Sequence, residues 1–249
     1  MANATEINRS YYGQLTAGRE NYWLLMPAPR MRTQAVAATI RRHKPQTARL
    51  CDFGCGNGGL LAALALQVPQ AKLYGIDLSE EQIRMNAKTY GNMNWAVGDL
   101  AATTYVCPFE AGCDVAVSSE VIEHVAEPLQ YLRNLHASLS TDGLLVLTTQ
   151  SGPVHSTERS VGHVRHWEAA EMAQLLESAG FRDPVVTNCG FPFHDLSKWA
   201  ANLRPELTIR RFGERDWGPV ERATATLLRG LFRFNSASRG NQLIARAWK

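Results

Sequence analysis

The stretch Arg49-Leu50-Cys51-Asp52-Phe53-Gly54-Cys55-Gly56-Asn57-Gly58-Gly59 decides how the rest of the chain is read. Its first half is apolar and strand-like, its second half is a cluster of small residues, and LLAALALQV at 60–68 comes next as an apolar helix stopped by Pro69. Glycine adopts backbone angles closed to other residues and lets a ligand approach the main chain closely. The first turn of the next helix presents N–H groups that have no partner inside the helix. A strand, a glycine bend and a helix in that order make a binding loop at the strand's C-terminal end.

The same rhythm continues outward. KLYGIDL (72–78) reads as a second strand, and SEEQIRMNAKTYG (79–91) as a helix with Ser79 as its cap and Gly91 at its end. NMNWAVGDL (92–100) is a third strand and CDVAVSSEV (113–121) a fourth. A helix spans 127–139, and Asp142-Gly143 turns the chain into the apolar strand GLLVLTTQ (143–150). WEAAEMAQLLESAGF (167–181) is a helix ending near Gly180, and DPVVTNCG (183–190) a sixth strand. This alternation predicts an α/β fold, a parallel sheet with helices on both faces. Right-handed crossovers then bring the strands' C-terminal ends to one edge, where ligands bind. Ahead of this core, 31–43 predicts an amphipathic helix stopped by Pro45. Residues 1–30 predict one or two helices lying over the core; Tyr11, Tyr12 and Trp23, with Tyr22 beside them, either close over the ligand or simply pack. Pro192, Pro205 and Pro219 break the rhythm in 191–240, which reads as a helical insertion before a last strand, NQLIARAWK (241–249). The expected organisation is one domain: a helical cap (1–44), a cofactor-binding core (45–190), an insertion or lid (191–240) and a last strand (241–249).

Gly54, Gly56 and Gly59 satisfy the GxGxxG spacing of a dinucleotide site, so the glycines alone do not choose a ligand. Asp52 leans the choice towards a ligand with a cationic part, because a carboxylate beside a pyrophosphate repels it. Asp77 ends the second strand, where an acid accepts from both ribose hydroxyls; the competing reading is a cap on the helix at Ser79. Leu78 offers an apolar surface to an adenine ring. Asp99, in Gly98-Asp99-Leu100, accepts from the adenine amino group or is a plain turn residue. Three aspartates ending three consecutive strands point together to an adenosine cofactor.

This pattern resembles the class I S-adenosylmethionine-dependent methyltransferases. Asp52, Gly54, Gly56 and Gly58 match that family's acid-then-GxGxG motif, Asp77 its ribose acid and Asp99 its adenine-side acid. Ser118-Ser119-Glu120-Val121-Ile122-Glu123-His124-Val125 is similar to the segment after the fourth strand in small-molecule methyltransferases, including those of ubiquinone biosynthesis. Residues 143–149 look like the family's fifth strand, and 163–181 resembles the segment after that strand. The resemblance covers about residues 45–190 and the last strand; nothing in 191–240 matches. It implies a Rossmann-like, mostly parallel seven-stranded sheet whose last strand is antiparallel. It implies S-adenosylmethionine as cofactor, held by Asp52, Gly54, Cys55, Gly56, Gly58, Asp77, Leu78, Asp99 and Leu100, with Ser119 and Glu120 on the floor shared with the acceptor. The expected reaction is methyl transfer to a small molecule, with oxygen on a metabolite, sugar or lipid precursor ahead of nitrogen as acceptor.

In-line displacement on a sulfonium carbon requires the acceptor to be held in line. A neutral hydroxyl or an ammonium acceptor also needs a base that titrates near neutrality. His163 and His166 lie beyond the fifth strand; each is either that base or a residue that only bonds or packs the loop. His124 reads as structural, and Glu120 as a base only if burial raises its pKa. No Cys or His cluster has zinc spacing, so no metal is expected. A nicotinamide-dependent oxidoreductase shares the glycines and Asp77 but gives no reason for Asp52 and Asp99 and needs a proton donor such as Tyr-x-x-x-Lys, which is missing. A cofactor-binding partner subunit without turnover of its own remains a rival. A base-modifying enzyme would carry an Asn/Asp-Pro-Pro-Tyr/Phe motif after the fourth strand, which is also missing.

With 249 residues, the chain suits one sizeable core better than two. A net charge of +3 gives no global field to attract nucleic acid. Cys51, Cys55 and Cys113 adjoin apolar runs and read as reduced, hydrophobic thiols, with Cys107 and Cys189 making the count odd. The N-terminus has no signal-like apolar core, so a soluble, cytoplasmic protein is expected. The insertion carries Arg204, Arg210, Arg211, Arg215, Arg222, Arg229, Arg233 and Arg239 beside an apolar helical face of Val220, Leu227, Leu228, Leu231 and Phe232. It reads as a packed helix with solvated arginines, or as a lid or membrane-surface contact for an anionic or lipid-like acceptor.

Overall fold

A computed structural model describes residues 25–109, 112–213 and 217–249. The expectations for Tyr11, Tyr12, Tyr22, Trp23 and Arg215 lie outside these residues. Seven strands form one sheet: β1 (Arg49–Phe53), β2 (Lys72–Asp77), β3 (Asn94–Val97), β4 (Cys113–Ser119), β5 (Leu139–Gln150), β6 (Arg182–Cys189) and β7 (Gln242–Trp248). Their order is β3-β2-β1-β4-β5-β7-β6, with β7 antiparallel to both of its neighbours and the pairs from β3 to β5 parallel. Chain order reverses direction between β1 and β4, which opens a crevice at their C-terminal ends.

Period-two alternation sends successive side chains to opposite faces. On one face Leu50, Val115, Val117, Leu144 and Val146 pack against α1 (Pro27–His43) and α2 (Gly59–Ala65) through Val36, Ile40, Leu61 and Leu64. On the other, Phe53, Ala116, Leu145 and Leu147 meet Tyr131, Leu132 and Leu135 of α4 (Pro128–Ser138) and Met172 and Leu176 of α6 (Ala169–Ser178). Each fully buried Leu or Val contributes about 1.5–3 kcal/mol. The two covered faces account for the continuous apolar strands. Between β2 and β3, α3 (Glu80–Thr89) starts at Ser79, whose hydroxyl accepts from Gln82 N at 3.3 Å.

Three local expectations change. The helix expected from 31 begins at Pro27, because proline at the first helical positions costs no hydrogen bond. The expected turn at Asp142-Gly143 is a bulge inside β5: Cys113 pairs with Leu139 and Val115 with Leu144, and Asp142 takes φ 55° to absorb the surplus residues. Cys51 and Cys113, expected as reduced thiols, are joined in a disulfide, because β1 and β4 are neighbours and hold the two Cα atoms 6.0 Å apart. Cys55, Cys107 and Cys189 are free.

The short α5 (Ser156–Arg159) comes after β5. The insertion between β6 and β7 comprises α7 (Phe193–Leu203), α8 (Pro205–Thr208), a π-turn at Ile209–Gly213 and α9 (Pro219–Leu231). No helix among the described residues is long and apolar enough to cross a membrane.

Candidate active site

A cavity of about 650 Å³ opens where β1 to β5 end, within the ~300–1,000 Å³ usual for small-molecule sites. One group of lining residues comes from these strand ends: residues 54–57, 77–79, 98–101 and 119–121. A second group comes from outside the core: Met26, Ala28, Pro29 and Arg32 near the start of α1, Val161 and His163 after β5, and Ala201, Ile209 and Phe212 of the insertion.

The glycine bend and the second strand end are tied together by one carboxylate. Asp77 accepts from Gly56 N at 2.8 Å through one oxygen and from Ser79 N at 2.9 Å through the other. It therefore holds the backbone of the cap residue Ser79 and shapes the glycine loop at once, at the cavity wall. Burial raises its pKa, against the backbone N–H groups of Ser79, Gly56 and Leu78. Gly56 stands at φ +48° with open space on its Cβ side, so the main chain itself faces the cavity. Asp99 is exposed at the third strand end, one oxygen held by Ala101 N at 3.0 Å. Asp52 lies beneath the loop, 1% exposed, and neither oxygen has a hydrogen-bond partner among the described residues. Burial, reinforced by the charge of Asp77, pushes its pKa up to about 8.

The end of β4 carries a charged network. Glu120 takes φ 58°, a strained value for a non-glycine residue. Its carboxylate accepts from Thr148 Oγ1 at 3.1 Å, Gln150 Nε2 at 2.9 Å and Gln242 Nε2 at 2.9 Å, and lies 3.7 Å from Arg32 Nε. Ser119 Oγ lies 2.8 Å from Thr148 Oγ1, which already donates to Glu120, so the Ser119 hydroxyl is the donor of that pair. Burial alone would raise the pKa of Glu120, but Arg32 and the two amides outweigh it and hold the group ionised. Arg32 is 8% exposed, lines the cavity, and its Nε has no hydrogen-bond partner among the described residues.

Next to this network stand two histidines whose proton positions are set by their partners. His166 Nδ1 faces the carbonyl of Gly152 at 3.1 Å, which only accepts, so this nitrogen carries the proton. Its Nε2 then accepts from His163 Nδ1 at 3.0 Å. In neutral His163, the lone pair is left on Nε2. Burial first, then the neighbouring His124, lowers the His163 pKa to about 3. His124 is also held neutral by burial, against a hydrogen bond to the Gly162 backbone. Glu123 is fully buried; one oxygen accepts from Thr149 Oγ1 at 2.8 Å and the other has no hydrogen-bond partner among the described residues. Burial and the Glu120 charge raise its pKa well above the usual carboxylate range. Glu123, His124 and His163 bring one ligand atom each within 4.8 Å of one another. On the far side Glu158 Oε1 pairs with Lys198 Nζ at 2.7 Å, and Lys198 also donates to Gln150.

A family model described as a methyltransferase domain matches residues 29–185, well over half of the chain. The chain is a class I S-adenosylmethionine-dependent methyltransferase. A probable S-adenosylmethionine-dependent methyltransferase of Mycolicibacterium smegmatis is 29% identical over 213 residues, covering 83% of this chain and 74% of that protein. A ubiquinone biosynthesis O-methyltransferase of Ruegeria pomeroyi is 38% identical over 174 residues, covering 63% and 68%. Among solved structures, a phosphoethanolamine N-methyltransferase 2 of Haemonchus contortus, bound to phosphomonomethylethanolamine and S-adenosylhomocysteine, superposes with a TM-score of 0.66 at 15% identity, over 100% of this chain and 60% of that one. The chain thus spans less than two thirds of that neighbour's length, and at such identity the likeness speaks for the fold alone.

In this methyltransferase Gly54, Cys55, Gly56, Asp77, Leu78, Asp99, Leu100, Ser119, Glu120 and His163 all line the cavity. Three expected site residues do not. A Cβ on Gly58 would lie 2.8 Å from Trp95, so this glycine serves close packing and lies outside the cavity lining. Asp52 sits behind the wall. His166 is 2% exposed in its side chain and reaches the cavity only through His163. Glu120 is a weak base, because Arg32, Gln150 and Gln242 hold its pKa down to about 2. Sequence reasoning passed over Arg32, Glu123, Gln150 and Lys198. Glu123 had a local signal, a second acid three residues after Glu120 and adjacent to His124. Arg32 and Lys198 had none, because they enter from elements far away in sequence.

Proposed function

We propose that the chain methylates a hydroxyl oxygen on a small, largely apolar acceptor that occupies the cavity beside Met26, Pro29, Val161, Ile209 and Phe212. The observation that carries this reading is the His163 Nε2 lone pair, fixed by the His163–His166–Gly152 chain at the cavity wall. In this reading Asp77 holds the ribose, Asp99 and Leu100 the adenine, and Arg32 the cofactor carboxylate, with a buried Nε that has no hydrogen-bond partner among the described residues. Glu120 keeps Arg32 in place and adds negative potential near the cationic cofactor. S-adenosylmethionine supplies a methyl carbon already activated by its positive sulfur. The protein's part is to hold the acceptor oxygen in line through a hydrogen bond from its hydroxyl to the His163 lone pair. Because burial lowers the His163 pKa to about 3, the proton crosses only as the new O–C bond turns that oxygen into a strongly acidic oxonium. His163→Gln should lower kcat by about 10²–10⁴ while the Kd for S-adenosylhomocysteine stays within about threefold. Unchanged turnover would reject the role of His163.

A second reading is favoured by the convergence of Glu123, His124 and His163. The donor set suits a divalent cation: two imidazoles that burial holds in the ligating neutral form, one on the Gly162 backbone and the other braced by His166, with the Glu123 carboxyl beside them, whose proton an ion would displace on binding. Such an ion would lower the pKa of a bound hydroxyl. Chelation with add-back of Mg²⁺, Mn²⁺ or Zn²⁺ separates the two readings: activity that survives chelation leaves His163 as the base, and activity that returns only with metal assigns it as a ligand.

A further inference from the structure

Helix α7 is amphipathic the wrong way round for a helix packed on a core. Its outward face is Leu196, Trp199, Ala200, Leu203 and the adjoining Arg204, all exposed, with Leu196 54%, Trp199 60% and Leu203 60% accessible. The i, i+3, i+4, i+7 spacing puts them on a single stripe. Its polar residues turn inward: Lys198 to Glu158 and Gln150, Asn202 to Thr157 at 3.0 Å, and His194 to Asp195 at 3.1 Å. A row of large apolar side chains kept outside, while polar groups are paired inside, marks a contact surface rather than a packing fault.

Charge identifies what the surface meets. Residues 191–240 hold nine Lys and Arg against five Asp and Glu, a net +4, whereas the whole chain is +3, so the rest of the molecule sums to −1. Arg204 adjoins the apolar stripe, Arg210, Arg222 and Arg233 are exposed elsewhere on the same insertion, and Val220, Leu227 and Phe234 stand out at 59%, 64% and 74%. A tryptophan and leucines on an insertion of net +4 match the apolar boundary and the negative headgroups of an anionic bilayer. Ala201, two residues from Trp199 and so on the opposite side of α7, lines the cavity.

We propose that α7, with the basic residues of the insertion, docks this enzyme on an anionic lipid surface. This is independent of which atom is methylated. If the cavity is the acceptor site, the docked helix is its outer wall, and the acceptor class is a membrane-resident, lipid-like hydroxyl compound.

The test is co-sedimentation of the full chain with phosphatidylcholine vesicles and with phosphatidylcholine–phosphatidylglycerol vesicles. The triple variant Leu196→Ser/Trp199→Ser/Leu203→Ser runs alongside, and titration with S-adenosylhomocysteine serves as the fold control. The expected result is binding to the anionic vesicles at least about tenfold tighter than to the neutral ones, weakened by salt. The triple variant should lose that binding about tenfold and keep its affinity for S-adenosylhomocysteine. The proposal is overturned if the wild type ignores anionic vesicles or if the variant binds them equally. It is also overturned if the stripe instead supports a dimer, seen by sedimentation velocity and lost in the variant, or if only a chain lacking residues 1–24 binds.

Discussion

Replacing Asp52 by Asn should stabilise the cofactor-free protein and, above about pH 8, weaken cofactor binding. The Asp52 carboxyl is 1% exposed, has no hydrogen-bond partner among the described residues and is raised from 3.8 to about 8 by burial and by Asp77. A raised carboxyl pKa means that the folded state holds a proton the unfolded state has released. Stability from this group is therefore complete below about pH 4, falls as pH rises through the window from 4 to 8, and is lost above 8. At ~1.4 kcal/mol per pKa unit, the rise from 3.8 to about 8 is worth up to roughly 6 kcal/mol. Asparagine has the same shape and carries no charge at any pH. Urea unfolding of wild type and Asp52→Asn at several pH values between 4.5 and 8.5 measures the effect directly, because other titrating groups cancel in the difference. The variant's advantage should grow with pH by up to ~1.4 kcal/mol per unit and level off near pH 8. A difference that stays constant across the window would refute the reasoning. In the same variant the Kd for S-adenosylmethionine should rise only above about pH 8, where folded Asp52 carries a negative charge to lose; an unchanged Kd there would leave Asp52 a purely structural residue.

Asp77→Asn removes one of the two acceptor oxygens that tie Gly56 N to Ser79 N; with ~1.5–3 kcal/mol at stake, the Kd for S-adenosylhomocysteine should rise about 10- to 100-fold by calorimetry. Gly58→Ala puts a Cβ 2.8 Å from Trp95 at φ +73°, so unfolding should become easier by ~1–3 kcal/mol while cofactor affinity moves far less; the reverse pattern would return Gly58 to the cofactor site. Glu120→Gln leaves Arg32 buried beside a neutral amide, and scanning calorimetry should show a loss of ~3 kcal/mol or more, with an unchanged Tm counting against the network.

The parallel core was legible in the sequence because period-two strands and glycine bends are local signals, and the three strand-end aspartates needed only the right-handed crossover rule to be placed on one edge. Two local misreadings had physical causes. Asp142-Gly143 carries turn chemistry, and the structure uses the same left-handed tolerance for a bulge within β5. Cys51 and Cys113 stand 62 residues apart and meet only because β1 and β4 are neighbours. At the site, the lining residues the sequence singled out come directly after their own strands. The rest of the lining comes from α1, the loop after β5 and the insertion. Arg32, Glu158 and Lys198 acquire their meaning there only from partners far along the chain. The tautomer of His163 could not be read from the sequence either, since a backbone carbonyl at Gly152 sets it through His166.

The most direct test is a crystal structure of the chain with S-adenosylmethionine. The expected arrangement has the ribose hydroxyls on Asp77, the carboxylate on Arg32 and the reactive methyl pointing at the His163–Glu123–His124 cluster, with room for an acceptor against Ile209 and Phe212. A cofactor whose methyl points away from His163, or that leaves Asp77 without contact, would contradict it.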